Sequence, residues 1–339
     1  MLNATNWVVR LDDPERTVCS RGVRRTAQPS GGGPEADPGN DGLLGFRLQA
    51  WVLGRAETRS GDGEMRSLQR RVTHAVVASA TFCAVLVSAS TTASAAPVVR
   101  NVPGDYPSIQ AGIDAAVNGD SVLVAQGTYV ENIDFKGKAI KVKSTRGAAA
   151  TTIDAGGRGP VVTFASGEGR ASLLRGFTLQ HGRAETAANV STGGGVRVDG
   201  ASPEVRDNVV RANAAAFGAG VGIRAGSPLI VHNVIVDNTG LESGGIGGGV
   251  FISGYPNYRA EIRRNTIARN ANDYGGGIGT ISAGLAVVRD NAIADNVGGL
   301  QGGGMWLSSF SRVSVVQNLI ARNVHGGAFV FGEIGRAHV

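Results

Sequence analysis

Cysteine is nearly absent: the 339 residues contain two, Cys19 and Cys83, and none follows Pro97. Beyond Pro97 there is therefore no disulfide framework and no thiol chemistry, and stability must come from burial and hydrogen bonding. A membrane span needs roughly 20 apolar residues. The most apolar run, Ala75 to Val87, falls short of that. Aromatics make up only 5% of the chain, and charge of one sign is not in large excess. Between Pro97 and Gly332, 21 Lys and Arg stand against 17 Asp and Glu. That balance speaks against a nucleic-acid binder driven by bulk charge. The basic residues are scattered, apart from Lys136, Lys138, Lys141 and Lys143, which read as the solvent face of two short strands. No zinc-ligand spacing is present, and Gly218-Ala-Gly-Val-Gly-Ile lacks the βαβ context of a dinucleotide site.

The ends differ from the middle. Residues 1–64 show neither helical nor strand periodicity, and a Gly- and Pro-rich run from Gln28 marks them as linker-like. Next come Met65-Arg-Ser-Leu-Gln-Arg-Arg, the apolar run, and Ala93-Ser94-Ala95. This is the order of a secretory signal peptide, cleaved after Ala95. Met65 is accordingly read as the natural start, residues 65–95 as the leader, and 1–64 as an upstream extension expected to be disordered. The product is expected to be secreted or held at the cell surface, with no membrane span in the mature chain, and of bacterial type. Residues 333–339 resemble a translated sequencing adapter, so the folded region is placed at 96–332 with natural sequence continuing beyond it.

What the chain does have is glycine, 52 residues, and a repeat. Five segments share Asn-x-apolar-x-x-Asn, beginning at Asn208, Asn233, Asn265, Asn291 and Asn318, at intervals of 25, 32, 26 and 27 residues. Between them recur glycine clusters followed by a short apolar strand, as in Gly193-Gly-Gly-Val-Arg-Val and Gly247-Gly-Gly-Val-Phe-Ile. Each unit holds three strand-like pieces and no helical stripe, which excludes leucine-rich, ankyrin and tetratricopeptide solenoids. Units this short cannot close a core alone. Stacked about 4.8 Å apart, they form three long parallel sheets around a column of Val, Ile and Leu. The first Asn of each repeat then falls in a turn, where stacking aligns the amides into a ladder. Ser108 to Val117 places Ile109, Ile113 and Ala116 on one face of a short helix expected to lid the first coil. The fold class is therefore all-β, a three-sheet parallel β-helix with an N-terminal capping helix.

Pro107-Ser-Ile-Gln-Ala-Gly-Ile-Asp-Ala-Ala, Gly119-Asp-Ser-Val-Leu-Val, Gly127-Thr-Tyr-Val-Glu-Asn-Ile and Thr152-Ile-Asp-Ala-Gly-Gly are similar to the opening turns of the pectin-lyase-like superfamily. The resemblance spans roughly Val98 to Phe331 and implies a right-handed parallel β-helix. It also implies a polysaccharide partner and, for an enzyme, lyase, glycoside hydrolase or carbohydrate esterase chemistry. No complete active site accompanies it, and no catalytic residue is assigned. Gly127-Thr-Tyr-Val-Glu131 resembles the first motif of pectin methylesterases, but the later motifs have no match, and Glu131 reads as a turn or edge residue. Asp207, Asp237, Asp290 and Asp295 sit beside repeat Asn residues as turn formers do. His181 has no partner motif. A calcium-dependent lyase site would need converging carboxylates, and none can be assembled; no cofactor or metal is assigned.

One surface stands out. Period-two alternation sends Val196, Val221, Val250, Ile278 and Met305 inward, so Arg197, Asp199, Arg224, Phe251 and Trp306 point outward in one stripe. Aromatic rings beside arginines suit sugar rings and uronate carboxylates. These five are the candidate substrate-binding residues. The competing reading is a covered strand face with Trp306 under the Gly298–Gly303 loop. The competing function is a non-catalytic structural or adhesive cell-surface solenoid. Oligomeric state is not legible.

Overall fold

The computed structural model describes residues 7–9, 96–185, 191–254, 257–308 and 311–330. The proposed leader, the segment after 332 and, apart from the backbone of 7–9, the first 64 residues lie outside the described residues.

One coil shows how the sequence winds. Glu204–Arg206 buries Val205 alone, because alternation turns its neighbours outward. Asp207 then takes φ +56°, Asn208 turns inward, and Val209–Arg211 begins a new direction. Ala212 at φ +52° and buried Asn213 repeat the manoeuvre. After a glycine turn, Val221–Arg224 closes the coil. Each strand pairs in parallel with its equivalents above and below. Strands of the Glu204–Arg206 kind form sheet A, those of the Val209–Arg211 kind sheet B, and those of the Val221–Arg224 kind the eight-stranded sheet C. The ten-residue strand Arg312–Ala321 runs through both A and B in the last coil. A fourth, discontinuous ladder between sheets B and C joins Arg183–Ala184 to Ala214–Ala215 and Ala271–Tyr274 to Val297–Gln301. The three-sheet expectation did not include it.

The core is a set of in-register columns. Val122, Val142, Leu174, Val205, Ile230, Ile262 and Val288 stack one per coil, all fully buried. Each such side chain contributes roughly 1.5–3 kcal/mol by burial.

Two amide ladders run beside these columns. Asn265 Oδ1 accepts the backbone N–H of Asn233 at 2.9 Å and its Nδ2 at 3.1 Å. Asn265 Nδ2 donates to the Ile230 carbonyl and to Asn291 Oδ1. The same links join Asn208, Asn233, Asn265, Asn291 and Asn318 in sequence. A second ladder of the same geometry joins Asn213, Asn238, Asn270, Asn296 and Asn323. The left-handed residue of each corner is not the Asn but the one before it: Asp207, His232, Arg264, Asp290 and Gln317 at the A–B corner. That conformation costs roughly 1–2 kcal/mol for a residue with a Cβ. The buried amide that follows offsets the cost by satisfying the backbone groups that the corner leaves unpaired.

The helix Ile109–Ala115 packs Ile109 and Ile113 onto the first coil, and the Ser108 hydroxyl caps it by accepting from Ala111 N–H. Glu131 accepts from the Ile109 and Gln110 amides, placing a carboxylate where the helix dipole favours it. This gives Glu131 a structural role. Of the four lysines, Lys141 and Lys143 lie on a sheet A strand, with Lys141 exposed. Lys138 instead donates to the carbonyls of Ile113 and Asp114, and Lys136 pairs with Asp114. Those two were misplaced on a strand face because the helix that recruits them is distant in sequence.

Asp120 ties this end together, accepting from Val117 and Val98 amides and from Arg100. The two amides hold its pKa below the usual carboxylate value, against burial, and Arg100 reinforces them. Its contribution is therefore present above the unfolded pKa and lost as pH falls through the lower folded one. Asp120→Asn should flatten the acid limb of a stability–pH curve measured by urea unfolding. An unchanged acid limb would show that other carboxylates dominate it.

Candidate functional site

Sheet C holds the expected stripe in register: Arg197, Gly222, Phe251, Gly279 and Trp306 form one outward row, and Asp199, Arg224 and Ser253 the next. The row is not an open surface. Phe251 is only 5% exposed, its ring 5.1 Å from that of Phe217. Trp306 is half-buried against Tyr274 at 5.2 Å, and its Nε1 donates to Gln301. The segment before each glycine cluster runs parallel to itself from coil to coil, through Thr192, Phe217, Ile246 and Tyr274. It lies across the outer face of sheet C. Gly222 and Gly279 make room for it, since a Cβ at either would strike the neighbouring cover at 2.3–2.5 Å. Sequence alternation gives the direction of a side chain but not what lies over it, and so Phe251 is corrected from platform to covered residue.

The arginines are also engaged. Arg197 and Arg224 both donate to Asp199, at 2.9 and 2.8 Å. Burial opposes ionisation of Asp199, but the hydrogen bonds from Arg224 and Arg197 prevail, and its pKa lies below the ordinary value. These three residues form a closed ion cluster at the top of the row. The structure brings together Arg197, Asp199 and Arg224, and leaves Trp306 several coils away.

The open charged surface is elsewhere, on sheet A. Register places Lys143, Arg175, Arg206, Val231, Arg263 and Arg289 in a single outward column, one residue per coil. The column runs along the solenoid axis at about 4.8 Å per step. Arg175 and Arg206 engage Asp207, and Arg289 engages Asp290. Among the described residues Lys143 and Arg263 have no ion pair, and Arg263 Nε is shielded from solvent without a hydrogen-bond partner. At its upper end the column borders a depression of about 700 Å³ lined by Leu123, Lys143, Ser144, Thr145, Arg175 and Asp207. Unequal loop lengths hide this alignment in the sequence, where the same residues look scattered.

A family model described as a right-handed beta helix region matches residues 243–335. Together with the stacked parallel coils, this decides the fold family. The chain is a right-handed parallel β-helix protein, and its coils fit the pectin-lyase-like type. No curated protein and no solved structure matches it.

Elsewhere on this β-helix protein two polar groupings bear on chemistry. At the outer end of sheet B, Asp154 Oδ2 lies 2.9 Å from both Gln180 Nε2 and His181 Nδ1, and Arg211 donates to Gln180. Burial raises the Asp154 pKa, but hydrogen bonds from Gln180, the Gly156 amide and His181 leave it lowered overall. His181 is exposed at φ +55° and adopts the corner position of its coil. A second depression, about 320 Å³, is lined by Leu241, Glu242, Asn272 and Asp273 on the fourth ladder. Asp273 there accepts from the Gly244 amide, fixing a loop. Asp207, Asp237, Asp290 and Asp295 all take positive φ at corners. Among the described residues no three His, Cys, Asp or Glu side chains are grouped to hold a metal ion, and no helix is long and apolar enough to cross a membrane.

Proposed function

We propose that this β-helix is a secreted protein that binds acidic polysaccharide along the outer face of sheet A. The observation that carries the reading is the in-register cation column from Lys143 to Arg289, with Lys143 and Arg263 lacking an acidic partner among the described residues. A polymer with one carboxylate on each sugar presents anions at regular intervals, and a column with a cation in five of its six coils, interrupted only at Val231, meets them in series on either side of that gap. Arginine matches a carboxylate bidentately. Binding of single-stranded nucleic acid would instead need aromatic platforms beside the cations. The column's neighbours on the same face are Leu173, Glu204, Leu229 and Glu261. The alternative of a rigid structural or adhesive solenoid shares the scaffold but makes no use of the column.

Affinity electrophoresis through polygalacturonate separates them. The full chain should be retarded by polygalacturonate and not by neutral dextran, and added salt should weaken the retardation by screening exposed charge. Lys143→Glu with Arg263→Glu should lower affinity by about tenfold or more, equivalent to about 1.4 kcal/mol. Trp306→Ala should leave it unchanged. Equal retardation of the doubly reversed protein, or loss confined to Trp306→Ala, would defeat the proposal. Displacement by single-stranded DNA at lower concentration than by polygalacturonate would also count against it.

A further inference from the structure

Sheet B carries a surface of a different kind, and its corners show what it fits. In the later coils its outward rows carry no charge: Val234, Thr266, Ala292 and Leu319 in register, then Val236, Ala268, Ala294 and Ala321, of which Val236 and Ala268 are already buried within the chain. Val234 and Leu319 are 38% and 48% exposed. Ordered charges flank this flat strip on both sides. Along the B–C corner the left-handed positions are Asp237, Arg269, Asp295 and Arg322, an alternating series. Arg269 pairs with Asp237 and Arg322 with Asp295, at 2.7–3.0 Å. Along the A–B corner the same four coils present His232, Arg264, Asp290 and Gln317.

We infer that the outer face of sheet B is a self-association surface that takes a second copy of this chain, antiparallel, about a two-fold axis along the strand direction. The series Asp-Arg-Asp-Arg becomes its own complement when inverted. With the axis level between the coils of Thr266 and Ala292, Asp237 faces the partner's Arg322 and Arg269 faces the partner's Asp295. The same axis sets Arg264 against the partner's Asp290 on the other corner, so both edges are satisfied at one register. Val234 then meets the partner's Leu319, and Thr266 meets the partner's Ala292, bringing the uncharged strip onto itself. The parallel arrangement fails on the same residues. An axis along the solenoid would oppose Arg264 to the partner's Arg269, and Asp290 to the partner's Asp295. An isologous contact of this kind closes as a dimer and does not propagate. The strip is one short strand wide, small beside the roughly 800 Å² per partner of a standard interface, so the dimer is weak and concentration-dependent. It leaves sheet A free and stands independently of the polysaccharide reading.

Sedimentation velocity of the full chain over a hundredfold concentration range tests this. Wild type should move from monomer to dimer as concentration rises. Leu319→Lys should remain monomeric. Arg264 has no ion pair among the described residues, and Arg264→Asp should weaken association at least tenfold by facing the partner's Asp290. Adding Asp290→Arg should restore it, since arginine and aspartate both already occupy these corner positions at φ 53–58°. Circular dichroism of each variant confirms folding. A wild type that stays monomeric throughout, a folded double swap that fails to recover, or an Arg264→Asp protein that associates as well as wild type or better would overturn the inference.

Discussion

Asn265→Leu should destabilise the solenoid by about 4 kcal/mol, because each buried group left without a partner costs about 1–3 kcal/mol. Asn265 sits mid-ladder and is 2% exposed. Its loss strands the Asn233 amide and the Ile230 carbonyl, and takes one bond each from Asn233 Nδ2, which keeps the Val205 and Val231 carbonyls, and from Asn291 Oδ1, which keeps the residue 265 amide. Leucine keeps the branched skeleton but puts methyl groups where the amide oxygen and nitrogen were, so no cavity opens and the lost hydrogen bonds dominate. Asn323 ends the other ladder, is half-buried, and accepts only from Asn296 while donating to the Ile293 carbonyl. Asn323→Leu strands the equivalent pair, the Asn296 amide and the Ile293 carbonyl, but at a half-buried position that water can reach, and should cost less than half as much. Urea unfolding followed by circular dichroism compares the two directly. Similar midpoint shifts for both would mean that the ladder does not act as a connected network.

Gly276→Ala should be comparably damaging for a different reason. Its Cβ would lie 2.2 Å from the Val297 carbonyl oxygen and 2.5 Å from its carbon, both main-chain atoms of the next coil. No side-chain rotation relieves that overlap. The coils must separate locally, at the expense of bonds such as Gly277 N–H to the Gly303 carbonyl. Overpacking of this severity costs about 3 kcal/mol or more. Gly169→Ala is the control, since a Cβ there meets nothing within 4 Å. It should stay within about 0.5 kcal/mol of wild type. Equal thermal midpoints for the two variants would show that the glycine clusters do not set the coil spacing.

The recurrence of Asn and of glycine clusters was enough to read the stacked coils and the axis along which they repeat. The helix over Ile109 was equally legible, because the apolar spacing of Ile109, Ile113 and Ala116 is a local signal. Three things were not legible. The left-handed corner residues have no common type, being Asp, His, Arg, Gln or Ala, because their side chains face solvent and only the backbone is constrained. The cover over Phe251 comes from Phe217 in the preceding coil, a relation that period-two alternation cannot express. The sheet A column was invisible because loops of different length separate its members, so no fixed interval connects Lys143 to Arg289. The candidate residues were therefore placed on the face with recognisable aromatics, and the longer in-register row of cations on sheet A went unread.

The structural and functional readings meet in that column. In a Cys19→Ser, Cys83→Ser background, nitroxide labels at Lys143→Cys and Arg289→Cys would report its length by pulsed dipolar spectroscopy. Five coil steps of about 4.8 Å give a backbone separation of roughly 24 Å, and a narrow distribution near that value, widened only by the label linkers, is the expected result. A mean distance well beyond it, or a broad distribution without a peak, would mean that these cations do not line up and that no polymer could meet them in series.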